Sequence, residues 1–237
     1  MSALALGCVA CLLVAASHSG AEAAPGATTS GRVTLGPVTD APPPACPEAC
    51  RAIGSVSGFQ VSIEDPETGA IEDFPYRVPF RRGRVTEWSL YLAQPTNSQK
   101  AFFNGTFGQP PLARIGVIRK VRGSSPPRYA LKAQSPLKGL TQFFGRRASF
   151  KLRKPLPVRR GDVISLTVPT WAPAFAIDIP EGNVWRSSRE RGECLSELDQ
   201  RKGRPHQVVK SRRTYGCKYE TAQLLYTARV IRGAGRG

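Results

Sequence analysis

From Cys46 onward, apolar and polar residues alternate in short runs separated by glycine and proline. In SVSGFQVSI (55–63), Phe59, Val61 and Ile63 fall on one side. RVTEWSLYLA (84–93) puts Trp88, Leu90 and Leu92 on one face, and ARIGVIRKV (113–121) gathers Ile115, Val117 and Val121. RYALKAQ (128–134), SFKLRK (149–154), VISLTVP (163–169) and AQLLYTARVI (222–231) continue the series. In VISLTVP, Ile164, Leu166 and Val168 face one way and Ser165 and Thr167 the other. A period of two marks a strand with one buried face, because successive side chains point to opposite sides of a sheet. The 21 prolines and 23 glycines supply turns between such strands. Only LKGLTQFFG (137–145) has apolar residues at helical spacing, and it predicts one short helix.

Many strands and almost no helix leave each sheet face to be covered by another sheet. The expected fold is therefore all-β: an antiparallel two-sheet β-sandwich, one domain with long loops over residues 46–237. Residues 24–45, rich in Ala, Pro, Thr and Gly and ending in Ala41-Pro42-Pro43-Pro44, read as a flexible leader. Before it, an apolar run from Ala3 to Ala16 is followed by Ala21-Glu22-Ala23. That is the order of a secretory signal peptide over residues 1–23, and it predicts a secreted or envelope-associated protein. No stretch after residue 23 is long and apolar enough to be a membrane helix.

Export changes the reading of the cysteines. Of the six, Cys8 and Cys11 fall in the signal segment, leaving Cys46, Cys50, Cys194 and Cys217. Four cysteines in an exported chain read as a disulfide framework with three pairings open. Local closure favours Cys46–Cys50 and Cys194–Cys217, the second worth about 3.5 kcal/mol in the chain-entropy model. Zinc is the other reading of four cysteines, but the spacings are not paired CxxC knuckles and only His206 accompanies them.

Charge adds a partner class. Lys and Arg number 34 against 17 Asp and Glu, a formal +17, and arginine dominates. Such a chain meets polyanions. One basic stripe comprises Arg146, Arg147, Lys151, Arg153 and Lys154, and a second run comprises Arg201, Lys202, Arg204, Lys210, Arg212 and Arg213. Neither sits in a recognisable nucleic-acid-binding motif, so no specific nucleic acid is expected. The acids cluster in EDPETGAIED, with Glu64, Asp65, Glu67, Glu72 and Asp73, and again at Asp178 and Glu181. Asp-Pro-Glu-Thr-Gly is turn chemistry. A calcium site and a catalytic carboxylate pair are its alternative readings, and no other cofactor is expected. His206 stands in a basic loop without a nucleophile elbow or free cysteine beside it. Trp171 and Phe175, set among Pro169, Pro173 and Pro180, are the aromatic candidates for stacking on a sugar ring. Arg160-Gly161-Asp162 spells an adhesion tripeptide, yet Gly-Asp between two alternating strands reads first as a hairpin turn.

SFKLRKPLPVRRGDVISLTVP (149–169), a strand, a proline-marked approach, a Gly-Asp turn and a second strand, resembles a hairpin of jelly-roll modules. With PTWAPAF (169–175), residues 46–231 resemble exported bacterial jelly-roll, lectin-like β-sandwich proteins of unknown function. The resemblance implies a jelly-roll-like sandwich and surface or glycan binding, and it assigns no site residue. The resulting expectation is a non-catalytic, exported β-sandwich. It would bind a cell-surface glycan or an anionic wall polymer through Trp171, Phe175, Arg146, Arg147, Lys151 and Arg153. The alternatives are a carbohydrate-active hydrolase using loop carboxylates and a purely structural surface or assembly protein.

Overall fold

The computed structural model describes residues 31–37, 41–194 and 203–233. The expected signal segment lies outside these residues, as do 24–30 and 38–40 of the leader. The strands are β1 (Arg32–Leu35), β2 (Ile53–Glu64), β3 (Ile71–Asp73), β4 (Gly83–Tyr91), β5 (Leu112–Lys120), β6 (Arg128–Gln134), β7 (Lys138–Gly139) and β8 (Arg147–Val158). They continue as β9 (Val163–Ala172), β10 (Phe175–Ile177), β11 (Val184–Ser187), β12 (Arg212–Thr214), β13 (Cys217–Tyr219), β14 (Ala222–Leu224) and β15 (Tyr226–Arg232). One helix, α1 (Asn97–Phe107), lies between β4 and β5.

All pairings are antiparallel. One sheet runs β1-β15-β4-β8, a larger one runs β12-β6-β5-β9-β2-β11-β13 with β3 on β2 and β7 on β5, and β10-β14 form a two-stranded ribbon. Eight strands carry the architecture. β1 pairs with β15, β2 with β9, β4 with β8 and β5 with β6. First pairs with eighth, second with seventh, third with sixth and fourth with fifth. The chain is thus one long hairpin, coiled so that β4 also meets β15 and β5 also meets β9. That wrapping is a jelly roll.

The two main sheets meet over one core. Trp88 and Phe150 face each other across the β4–β8 ladder with ring centroids 4.6 Å apart. Tyr76 stacks on Tyr226 at 4.0 Å, and the Tyr226 hydroxyl on β15 donates to the Ile164 carbonyl on β9, 2.8 Å away in the other sheet. A buried tyrosine pays for its hydroxyl only when the hydroxyl finds an acceptor, so this bond fixes the spacing of the layers as well as their contact.

Four expectations change here. Residues 32–35 of the leader are an edge strand, with Leu35 buried. Residues 137–145 form β7 and a 3-10 turn, Thr141–Phe143, rather than a helix. The helix forms instead at 97–107, where Thr96 and Gln99 make a reciprocal capping box. Finally, Ser165 and Thr167 are not solvent-facing: both are buried, as is Ser57 on β2. The segment leading up to Cys217 covers them. Ser57 bonds to Thr167 at 2.7 Å, and the backbone N–H of His206 donates to the Ser57 hydroxyl at 2.8 Å. Both disulfides pair as expected, Cys46–Cys50 and Cys194–Cys217. The second ties down the chain that makes this extra layer.

Candidate functional site

The Arg-Gly-Asp turn is structural. It connects β8 to β9, which belong to different sheets, so it is a corner between layers and not the hairpin the sequence predicts. Gly161 takes a left-handed φ of 83°, which a glycine adopts without steric cost. Asp162 is fully buried and its carboxylate is occupied. Arg119 grips it with two bonds, Nε to Oδ1 at 2.6 Å and Nη2 to Oδ2 at 2.9 Å. The backbone N–H of Arg159 donates to Oδ2 at 3.0 Å. No carboxylate remains to present to a receptor.

The aromatic candidates are also spoken for. Trp171 lies within β9, not on a loop, and is 1% exposed. α1 covers it: Phe103 packs at 5.1 Å and the indole Nε1 donates to Asn104 Oδ1 at 2.8 Å. Phe144 closes another side at 5.5 Å. A buried indole cannot stack on a sugar, so Trp171 is a core residue and not the sugar contact that the sequence suggests. The same bond engages Asn104, whose Asn104-Gly105-Thr106 sequence has the form of a glycosylation acceptor. Phe175 is half-buried on β10, edge-on to Trp185 at 5.6 Å, and packs against the core.

The carboxylates do not gather. Asp65 closes its own turn, accepting from the backbone N–H groups of Glu67 and Thr68 and from the Thr68 hydroxyl at 2.8–3.0 Å. Those bonds, the Thr68 N–H foremost, hold its carboxyl below the usual range. Among the described residues, no three His, Cys, Asp or Glu side chains converge to hold a metal ion. His206 is buried, with Nε2 3.0 Å from the Ser211 hydroxyl and Nδ1 3.4 Å from the Tyr215 hydroxyl. Burial first, and Arg213 in smaller part, push its pKa down, while the Ser211 carbonyl opposes them. It is a core histidine, closed to substrate.

What the fold does assemble is a cationic face. Along β8, Ala148, Phe150, Leu156 and Val158 are buried, and Arg147, Lys151 and Arg153 alternate with them on the exposed side. The register sets Tyr91 beside Arg147, Glu87 beside Lys151 and Arg229 beside Glu87. The same face carries Arg84 on β4 and Arg32 on β1, both paired with Ile231 of β15, one from each side. Six exposed cations, Arg32, Arg84, Arg147, Lys151, Arg153 and Arg229, therefore share one sheet face with a single carboxylate, Glu87. Arg229 reaches that carboxylate only at 3.5 Å. Cations two residues apart on a strand recur at about 6.8 Å, and neighbouring strands lie about 4.8 Å apart. The prolines 155 and 157 are tolerated because β8 is an edge strand, where a missing N–H costs no ladder bond.

Sequence reading found the β8 half of this face and missed Arg32, Arg84 and Arg229. Arg229 alternates with the buried Ala228 and Val230, but Arg84 has the parity of the inward Trp88 and Leu90 and is turned outward by the β-bulge between Val85 and Glu87, and nothing in the sequence says that these strands are neighbours of β8. Arg146 falls off the face. It precedes β8, donates to the Gln142 carbonyl at 2.6 Å and lies over the Phe143 ring. Of the second basic run, Arg201 and Lys202 lie outside the described residues.

No family model, curated protein or solved structure matches the chain. The class of protein is therefore defined by its own architecture: a disulfide-tied jelly roll with an unbalanced cationic sheet face. No described helix is long and apolar enough to cross a membrane.

Proposed function

We propose that this is an exported, non-catalytic binding protein that holds an anionic polymer of the cell surface against the outer face of the β1-β15-β4-β8 sheet. The observation that supports it is the count on that face, six exposed cations to one carboxylate, five of them placed by cross-strand register and Arg153 by its exposure on β8. Six cations gathered on one face with a single carboxylate raise the local positive potential and repel one another at longer range. A polyanion laid across the sheet relieves that repulsion and releases its own counterions, which gives affinity that falls steeply with salt. A hydrogen-bonded sheet suits a repeating polymer because it offers charge at regular intervals without ordering a loop.

The test uses inorganic polyphosphate and poly(glycerol phosphate) as probes, titrated at several salt concentrations. The variant Arg84→Gln/Lys151→Gln/Arg153→Gln removes three exposed charges from the face. The log–log salt slope should fall in magnitude by roughly 0.7 per charge removed, the value known for single-stranded polyanions. The control Arg122→Gln/Arg128→Gln/Lys132→Gln removes three exposed charges elsewhere and should leave most of the affinity in place. Equal losses in the two variants would mean that net charge alone does the binding, and the face would have no special role.

A further inference from the structure

Residues 203–211 carry a feature that local chemistry does not explain. Val208 is 68% exposed and Val209 40%, and neither joins the hydrophobic core. They open a turn, Val208–Ser211, which the Ser211 N–H and hydroxyl close by donating to the Val208 carbonyl at 3.1 and 2.6 Å. Its third residue, Lys210, takes a left-handed φ of 72°. Turns of this kind favour glycine or asparagine at that place, and valine is not a turn former. The chain thus sets two apolar side chains at a tip where a polar turn would form more readily.

Hydrogen bonds hold the tip in place from both sides. The Lys210 N–H donates to the Leu131 carbonyl at 2.8 Å and the Leu131 N–H to the Ser211 carbonyl at 3.1 Å, so the turn is stitched to β6. Just before it, the Gln207 carbonyl accepts from Gln134 Nε2 at 2.8 Å, and the Gln207 side chain accepts from Arg114 Nη2 at 2.7 Å. Exposed cations surround the valines: Lys210 in the turn, Arg212 at the start of β12 and Lys132 beside Leu131 on β6. No Asp or Glu occurs in residues 88–161 or 203–219. None of β5, β6, β12 or the turn therefore supplies a carboxylate to offset these charges.

We infer that this turn is a membrane-contact tip. Val208 and Val209 enter the surface of an anionic phospholipid bilayer, and Lys210, Arg212 and Lys132 meet its headgroups. Apolar side chains that stand out among cations suit peripheral insertion, in which charge brings the protein to the surface and apolar atoms set the depth. A folded protein is the competing occupant. Two valines in an exposed turn form no apolar centre for a protein interface, which takes about 800 Å2 from each side. A fluid bilayer needs no matching pocket. The inference goes beyond the polyanion reading and uses none of the residues of the cationic face.

The test is co-sedimentation of the intact chain with vesicles of phosphatidylglycerol and phosphatidylcholine, and with vesicles of phosphatidylcholine alone. The chain should bind the first and not the second. Val208→Ser/Val209→Ser keeps every charge and should weaken vesicle binding about fivefold, while leaving polyphosphate binding unchanged. Depth is read with Val208→Trp. The native indoles are buried, Trp88 and Trp171 at 1% and Trp185 at 5% exposed, so a change in emission on vesicles comes from position 208. The emission should shift to the blue and be quenched by bromine on the acyl chains. That quenching should survive Arg84→Gln/Lys151→Gln/Arg153→Gln at saturating lipid, which separates the tip from the polyanion face. No binding to the anionic vesicles, or binding undiminished in Val208→Ser/Val209→Ser, would overturn the inference. So would emission from position 208 that stays red and unquenched on bound vesicles, because net charge alone would then hold the protein to the surface.

Discussion

Arg119 and Asp162 form a buried ion pair whose two halves should not be equally expensive to remove. The Asp162 side chain is 1% exposed and that of Arg119 is 28% exposed. Replacing Arg119 by Ala strips two of the three donors from a carboxylate that water cannot reach, leaving it the Arg159 N–H alone. Removing one partner of a buried pair costs about 3–5 kcal/mol. Replacing Asp162 by Asn keeps the shape and one acceptor, and the guanidinium left behind turns toward solvent. That change should cost about 1.5–3 kcal/mol, the range for hydrogen bonds to a charged group. Urea unfolding at pH 7, followed by tryptophan fluorescence, gives both values if the m-value stays constant. The double variant should be less destabilised than the sum, because the pair can be lost only once. Equal costs, or a larger cost for Asp162→Asn, would refute the claim that the aspartate is the sequestered partner. It would also reopen the Arg-Gly-Asp turn as an accessible carboxylate.

Two further outcomes follow from the core. At Gly36 the φ of 86° is left-handed, and an added Cβ would lie 2.5 Å from Tyr76 ring atoms that are fully buried. Gly36→Ala should therefore cost about 2–4 kcal/mol, from about 1 for the backbone and the rest from overpacking. Gly123 has a similar φ of 69° with nothing within 4 Å, so Gly123→Ala should cost only about 1 kcal/mol; matching shifts in Tm would show that the Tyr76 contact is not tight. His206 titrates below its ordinary 6.5 because burial disfavours the imidazolium. The unfolded chain then takes up the proton first, so stability is complete above about pH 6.5 and is lost as pH falls from there toward the lowered value. Comparing urea midpoints at pH 8, 6.5 and 5 should show the loss in the native chain and little of it in His206→Gln, whereas a midpoint that rises on acidification contradicts the burial argument.

Much of the fold was readable because alternation is local. The β2, β4, β5, β6 and β9 segments each announced themselves within three residues of their ends, as the inward face of a strand must be apolar wherever it lies, while β8 runs on past the expected 149–154 to Val158. Short elements were harder. β1 is four residues long and hides in a proline-rich context. α1 has little amphipathic contrast, so the Thr96–Gln99 capping box was its main signal. The 137–145 pattern looked helical because of the spacing of Leu137, Leu140, Phe143 and Phe144, but Leu137 is exposed and the other three gather around a 3-10 turn that packs on Phe150 and Trp171.

The candidate site was half readable. Lys151 and Arg153 pointed outward by parity alone, and that held. Trp171 did not, since proline neighbours suggested a loop while the strand ran through to Ala172. By itself the sequence determined that the chain is all-β, which apolar residues of most strands reach the core, and which cysteines close locally. These are properties of nearest neighbours, governed by side-chain period and loop entropy. Only the tertiary structure decided that Arg32, Arg84 and Arg229 join the β8 cations and that Ser57, Ser165 and Thr167 lie beneath a third layer. Each depends on strands far apart in the chain being laid side by side, and strand order is set by how the long hairpin coils, which no local pattern encodes.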